Sequence, residues 1–367
     1  MTERRGSGRR RVTQLDVARA ANVSTAVVST VLNNKADTLR VSEQTRERVW
    51  RAIRDLHYVP HAAAQSLAGG RNRIIGAFTY QRMFPLDSGD FYYEFLLGVE
   101  EEAEQAGQHL LLFTGARNEA NERSIFSRNT NMLELADGAI LLGGRIDADE
   151  IRRLAEDGYP FVMIGRRDVA GPEVSWVAAD YAAATRTVVD QLHRLGHRRI
   201  LLVAGSRTHE TLVERRAGFT AEARRHRLGS KTRMVTFGAP NPDLPDAPCL
   251  EDEQGVLRFA RETGATVIIA ESSYVIHRIY QTALAQGLRI PDELSLVGLG
   301  DHGDRQNVLA PDPAITVLRT PSRKIGAAAV RMVLHRLDNP GDQPQHLKIP
   351  CELSEGTTVA APPASQR

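Results

Sequence analysis

The sequence has little cysteine, with only Cys249 and Cys351 among 367 residues. Two thiols so far apart form neither a disulfide framework nor a metal-ligand pattern, and they fit a reducing, cytoplasmic compartment. No apolar run approaches the eighteen or so residues that a membrane span needs. The start, MTERRGSGRRR, lacks the apolar segment of a secretory signal. These absences favour an ordinary cytoplasmic globular protein without a membrane segment.

The sequence also lacks the short motifs of common enzymes. We find no GxSxG, HExxH or P-loop pattern. The eleven histidines show no metal-ligand spacing; His193 and His197 are four residues apart, as on a zinc-binding helix, but Gly196 lies between them. We therefore expect no enzymatic activity, no metal and no cofactor.

Charge is distributed unevenly along the chain. Residues 1–72 hold thirteen basic and six acidic residues, a net charge of +7, so the remainder carries −5 of the total of +2. A basic amino-terminal region on an acidic body is typical of a protein that binds a polyanion, although a merely solvated basic tail has the same composition. The length predicts two or three domains.

The stretch VTQLDVARAANVSTAVVSTVLN (12–33) predicts two short helices joined by a tight turn. The first helix runs from Gln14 to Ala21, with Leu15 and Ala18 among its apolar contacts. Asn22 tolerates the left-handed conformation that the turn requires. Ser24 is a natural N-cap for the second helix because its hydroxyl can accept a hydrogen bond from a free backbone N–H.

A third helix and a shorter segment follow. The helix starts at Ser42, and its apolar residues recur at helical spacing from Val49 to Leu56. Three such helices are the size of a helix-turn-helix domain. Pro60 then opens the segment 61–68, which Gly69 and Gly70 close; at about eight residues this helix is too short to be stable alone in water.

From Ile74 onward, apolar strand-like runs alternate with amphipathic helices. The predicted strands are 74–78, 109–113, 138–142, 161–165, 174–178, 200–204, 234–237, 267–270, 294–298 and 315–318. The predicted helices are 94–105, 122–135, 183–195, 214–225, 253–262 and 274–286. This alternation predicts doubly wound parallel sheets, and about 290 residues exceed one comfortable core, so two α/β lobes are expected.

Five stretches together resemble the LacI/GalR (lactose-repressor) family of bacterial transcription regulators. They are 12–33, VSEQTRERVWRAIRDLHYVPHAAAQSLAGG (41–70), LHRLGHRRILLVAG (192–205), RRAGF (215–219) and GLRIPDELSLVGLGD (287–301). The resemblance implies a helix-turn-helix head, a hinge helix and a core like periplasmic sugar-binding proteins. It also implies a homodimer on a palindromic DNA operator and no membrane association.

The resemblance and the alternating pattern give the expected domain limits. These are a disordered basic tail (1–11), a DNA-binding domain (12–59), a hinge helix (60–72), a first lobe (73–179 plus about 299–318), a second lobe (180–298 plus about 319–355) and a frayed tail (356–367).

In the head, the resemblance places Thr25, Ala26 and Thr30 against base edges in the major groove. It places Thr13, Ser24, Ser29 and Asn33 on phosphates, where hydroxyls and amides donate without reading sequence. Many members have arginine in place of Thr30, so a bidentate guanine contact is missing there. Capping or a solvated helix surface is the alternative role for each of these residues.

Leu67 matches the hinge leucine that family members insert between base pairs in the minor groove. Apolar wedges of this kind unstack a base step and kink the DNA. Packing of Leu67 against the body of the protein is the alternative.

The resemblance also implies a small-molecule effector, such as a sugar or sugar derivative, in a cleft between the lobes. The residues that match effector positions are Phe91, Tyr92, Arg215, Ser273 and Asp301. Phe91 and Tyr92 also suit plain hydrophobic packing at a helix start. A guanidinium such as that of Arg215 suits hydroxyls or carboxylates.

Three cleft positions depart from the family pattern. The family has Asp at Gly165, Asn-Asp at Ser273-Tyr274 and Asp-Asp at Gly300-Asp301. Sugar hydroxyls donate hydrogen bonds, and carboxylate and amide oxygens are their best acceptors. With these acceptors missing, the ligand is less hydroxylated, or anionic, or held by other residues. Asp180, Glu271 and Asp301 are candidates for compensation.

The sequence thus predicts a cytoplasmic, nucleoid-associated DNA-binding regulator, a repressor under effector control. One alternative is a DNA-binding regulator or architectural protein without an effector, or one that a partner protein controls. A solute-binding transport protein is disfavoured because it would have a signal peptide and no DNA-binding head.

Overall fold

The computed structural model describes residues 12–32, 41–58, 71–80, 92–114, 117–118, 122–127, 129–143, 146–166, 171–206, 209–300 and 315–364. The chain divides into two compact units, residues 1–73 and 74–367. Among the described residues, no helix is both long and apolar enough to span a membrane.

The head contains three helices, α1 (Gln14–Ala21), α2 (Thr25–Leu32) and α3 (Glu43–Asp55). Their buried faces share a small core of Val17, Ala18, Ala21, Val28, Val31, Val49, Ala52 and Ile53. The prediction was wrong for Leu15, which is 46% exposed, because the buried face of α1 is formed by Val17, Ala18 and Ala21.

Local signals fix the helix limits of the head. Asn22 ends α1 in the left-handed conformation, with φ of 50°, as predicted. Ser42 caps α3 by accepting a hydrogen bond from the backbone N–H of Thr45 at 3.3 Å. Because these signals lie within a few residues of each helix end, the sequence alone was enough to place them.

The first lobe of the core is a parallel sheet of six strands covered by helices. The strands are β1 (Ile74–Thr79), β2 (His109–Phe113), β5 (Gly138–Leu142), β6 (Phe161–Ile164), β7 (Trp176–Ala179) and β14 (His346–Ile349), in the order β14-β7-β6-β5-β1-β2. The helices of this part are α4 (Tyr93–Gln105), α5 (Ala148–Glu156) and α10 (Ser322–Asp338).

The second lobe is a sheet of seven strands. The strands are β8 (Ile200–Ala204), β9 (Thr232–Phe237), β10 (Cys249–Leu250), β11 (Val267–Ala270), β12 (Ser295–Gly298), β13 (Thr316–Arg319) and β15 (Glu352–Ser354), in the order β10-β9-β8-β11-β12-β13-β15. Its helices are α6 (Tyr181–Arg194), α7 (Glu210–Arg225), α8 (Glu253–Thr263) and α9 (Ser273–Ala285). All its strands are parallel except β15, which pairs antiparallel with β13.

The predicted lobe limits were wrong after residue 298. Strand β13, expected in the first lobe, pairs with β12 of the second, while α10 and β14, expected in the second lobe, belong to the first. The docking of α10 depends on close backbone approach: a Cβ added at Gly326 would lie 2.1 Å from the carbonyl oxygen of Phe95. Such contacts between distant segments leave no periodic signal in the sequence.

One prediction of local structure was also wrong. The helix expected over 122–135 is instead a short hairpin, β3 (Phe126–Ser127) and β4 (Thr130–Asn131), followed by a 3-10 turn. Asn129 adopts a positive φ of 63° at the hairpin, which interrupts any helix. Glu150 holds the preceding segment by accepting a hydrogen bond from the backbone N–H of Ile125.

The tail expected to fray from Gly356 is instead anchored as far as Ala360. Thr358 is buried and donates from its hydroxyl to the carbonyl oxygen of Leu296. The buried His197 ring lies 2.9 Å from the carbonyl oxygen of Ala360, and burial lowers the pKa of this imidazole to about 4. The basic tail 1–11 and most of the hinge segment lie outside the described residues.

Candidate functional site

Helix α2 presents its first turn to solvent. Its N-cap Ser24 accepts from the backbone N–H of Val27 at 3.3 Å, which confirms the predicted capping role. Thr25 and Ala26 are exposed, whereas Val28 is buried in the head core. The helix is thus anchored on one side and offers small side chains on the other, a geometry that admits it to a DNA groove.

The remaining head residues divide between the described and undescribed parts. Thr13 forms a capping box with Asp16, accepting from the Asp16 backbone N–H at 3.4 Å and donating from its hydroxyl to the carboxylate at 2.7 Å. Ser29 and Thr30 are half-buried on α2. Asn33 and Leu67 lie outside the described residues. The DNA contacts of all these residues stay predictions.

Ion pairs connect the two lobes beside the start of α7. The Glu214 carboxylate of the second lobe lies 3.2 Å from Nζ of Lys348 and 3.7 Å from the guanidinium of Arg166, both of the first lobe. Lys348 also lies 3.8 Å from the carboxylate of Asp180. Asp180 caps α6, accepting from the backbone N–H of Ala183 at 3.0 Å, so its compensating role toward a ligand stays a prediction.

Arg215 lies next to these pairs and is 2% exposed. Its guanidinium lies 4.4 Å from the ring centroid of Tyr181 and donates to the backbone carbonyl oxygen of Glu271 at 3.1 Å. Its buried Nε has no partner among the described residues. A buried guanidinium that keeps a free donor is suited to an acceptor group on a ligand.

Glu271 is held by the protein itself. Its carboxylate accepts from Nε of Arg216 at 2.9 Å and from the backbone N–H of Gly205 at 2.9 Å. Arg216 also pairs with Asp243 at 3.3 Å. Burial raises the pKa of the Glu271 carboxyl, while Arg216 and the Gly205 N–H act in the opposite direction. With both oxygens engaged, Glu271 is poorly placed to compensate for missing cleft acids.

We expect Glu271→Gln to flatten the pH dependence of stability. A carboxyl with a raised folded-state pKa binds protons more tightly in the folded chain, so the free energy of unfolding falls as the pH rises from about 4.3 toward that pKa. The variant removes this decline. Urea unfolding between about pH 4 and pH 7 measures it, with Glu355→Gln, an exposed carboxylate of the same lobe, as control. An unchanged slope in Glu271→Gln would contradict the assignment.

The other predicted cleft residues have different environments. Tyr92 is 8% exposed within the core of the first lobe, so its ring packs there, and a ligand contact stays a prediction. Ser273 is the first residue of α9. Phe91 and Asp301 lie outside the described residues. The sequence did not point to Glu214 or Lys348, because the two become neighbours only when the lobes are folded.

Models of two known families match the head and the core of the chain. Residues 13–61 match the model described as bacterial regulatory proteins, lacI family, and residues 189–359 match a periplasmic binding protein-like domain. Residues 13–61 are thus a head of the lacI type, and residues 189–359 are a core of the periplasmic-binding type. The predicted fold class, a helix-turn-helix head on a periplasmic-binding-protein-like core, is therefore confirmed, and the chain is a DNA-binding transcriptional regulator.

Relatives and solved structures match this chain over most of its length. The HTH-type transcriptional regulator CelR of Thermobifida fusca is 28% identical over 94% of this chain and 97% of its own. The HTH-type transcriptional repressor PurR of Klebsiella pneumoniae is 26% identical over 95% and 97%. The lac repressor dimer bound to operator and the anti-inducer ONPF has a TM-score of 0.65 at 21% identity, covering 96% and 100% of the two chains. A CelR–cellobiose complex has a TM-score of 0.57 at 23% identity, covering 95% and 100%.

Proposed function

We propose that this regulator is a homodimeric repressor whose affinity for a palindromic operator is controlled by a small molecule bound between the lobes. The observation that carries the effector part is Arg215, a buried arginine beside the ion pairs that join the lobes, whose Nε has no partner among the described residues. Structures of similar proteins support the proposal, since CelR has been solved with cellobiose and the lac repressor with an anti-inducer.

The position of Arg215 suggests how a ligand is sensed. Glu214, the residue before Arg215 on α7, forms ion pairs with Lys348 and Arg166 of the first lobe. A ligand that engages Arg215 therefore acts beside ion pairs that connect the two lobes. Control of DNA binding requires that the ligand bind the two lobe arrangements with different affinity.

We expect Arg215→Gln to lose the effector response while retaining DNA binding. Loss of a charged donor that hydrogen-bonds to the ligand weakens ligand binding by about 1.5–3 kcal/mol. The variant therefore needs roughly a ten- to hundredfold higher effector concentration for the same response. The measurement is fluorescence anisotropy of an operator selected from random duplexes, titrated with neutral sugars, sugar acids and nucleobases. Arg233→Gln, an exposed arginine of the same lobe, is the matched control.

The same titration separates the alternatives. If Arg215→Gln responds to the active metabolite as the parent protein does, the ligand lies elsewhere. If the parent protein responds to no metabolite, the regulator without a small-molecule effector, or one controlled by a partner protein, becomes the better description.

A further inference from the structure

A second polar cluster lies on the second lobe, along the contact between α6 and α7. Each helix contributes a carboxylate and an imidazole: Asp190 and His193 from α6, and Glu222 and the C-cap residue His226 from α7. The two rings stack, with centroids 3.8 Å apart and planes at 15°. The predicted effector and DNA contacts use none of these four residues.

Three side-chain atoms of this cluster converge. Nε2 of His226 lies 3.0 Å from Oδ1 of Asp190 and 3.1 Å from Oε1 of Glu222, and all three atoms lie within 4.8 Å of one another. A single imidazole N–H at this position has to be shared between two carboxylate oxygens. Tetrahedral zinc with bonds of 2.0–2.2 Å separates its ligand atoms by roughly 3.3–3.5 Å. Two of the three separations are already close to that value.

The cluster is well suited to hold its ligand atoms in place. The side chains of Asp190, Glu222 and His226 are only 17%, 4% and 14% exposed. The two helices also approach closely, since a Cβ added at Gly218 of α7 would lie 2.4 Å from the carbonyl oxygen of Ala182 on α6. Side chains from such tightly packed helices keep their relative positions, which lowers the cost of assembling a metal site.

Two arginines form ion pairs with the carboxylates of the cluster. Arg194 pairs with Oδ2 of Asp190 at 2.7 Å, which leaves Oδ1 facing His226. Arg225 pairs with Oε1 of Glu222 and lies 3.6 Å from Oδ1 of Asp190, so its guanidinium faces the same two oxygens as His226. The Arg225 side chain is 64% exposed and can turn to solvent. Arg225 thus occupies the position of a cation that a metal ion would have to replace.

We propose that Asp190, Glu222 and His226 form a binding site for a divalent transition-metal ion of the zinc type, for which Arg225 is the built-in competitor. One imidazole and two carboxylates are a donor set for Zn²⁺ or Co²⁺, and three protein ligands leave a position for water. The bound ion would link α6 to α7. Its ligand Glu222 lies two helical turns after Arg215, the proposed effector contact, on α7.

The test is calorimetric titration of the untagged full-length chain with ZnCl₂, with CoCl₂ absorption as a readout of coordination. We expect one ion per chain, and at least about tenfold weaker binding in Asp190→Asn, Glu222→Gln and His226→Gln. Arg225→Met should bind more tightly than the parent. His335→Gln is the matched control, since His335 also pairs with a carboxylate, Asp342 at 2.9 Å, but on an exposed surface.

Several results would overturn the proposal. These are no binding by the parent chain, unchanged affinity in His226→Gln, equal losses in His226→Gln and His335→Gln, or weaker binding in Arg225→Met. Glu222 is the most buried of the three ligands, so the test does not depend on folding of its variant: the less buried Asp190 and His226 carry it.

Discussion

Gly218→Val is expected to lower the free energy of unfolding of the core by at least about 4 kcal/mol, a loss reserved for severe backbone or packing defects. A Cβ at this position would lie 2.4 Å from the carbonyl oxygen of Ala182 and 3.1 Å from its Cα and carbonyl carbon. Real Cβ atoms do not approach backbone so closely. Helix α7 must therefore move away from α6 or the second lobe must lose its packing.

Urea unfolding of the full-length chain measures this loss as a lower midpoint. Gly341→Val is the control, because a Cβ there meets no atom of the described residues within 4 Å and the residue has an ordinary φ. Its effect should stay within about 0.5 kcal/mol. A midpoint for Gly218→Val equal to that of the control would show that the helices accommodate a side chain. Since α7 carries Glu214 and Arg215, a folded variant should also respond weakly to effector.

Leu67→Gly is expected to weaken operator binding by about 3 kcal/mol, roughly a hundredfold or more in affinity. Leu67 lies outside the described residues, so this expectation rests on its match to the hinge leucine of the LacI family. An apolar wedge that unstacks a base step allows more contact between protein and bent DNA. Removing the wedge leaves the electrostatic contacts of the head but not the kink.

Anisotropy titrations with operator and with an unrelated duplex of equal length test this role. Glycine also weakens a helix, by about 1 kcal/mol, so Leu67→Ala is measured beside it and should lose nearly as much affinity. Binding to the unrelated duplex should not change, because phosphate contacts dominate there. If operator affinity holds while the thermal stability of the core falls, Leu67 packs against the body instead.

The sequence by itself determined the head and most of the strands. Helix α1 spans the predicted residues Gln14–Ala21, α2 begins directly after its predicted N-cap Ser24, and α3 begins one residue after the predicted start at Ser42. These limits were predictable because capping and helical periodicity act over a few residues. The apolar runs located the strands for the same reason. The family motifs, being contiguous, also identified the class of protein before any contact was known.

The tertiary structure alone decided which sheet each late segment joins and what surrounds each polar side chain. A run such as 315–318 predicts a buried strand but not its neighbour, and α10 was missed although its glycine fits against α4. The pairing of Glu271 with Arg216, of Glu214 with Lys348, and of Asp190 with His226 joins residues 36 to 134 positions apart. The first and third pairs depend on how helices and strands pack within the second lobe, and the second pair depends on how the two lobes meet. One sequence carries no local signal for such contacts.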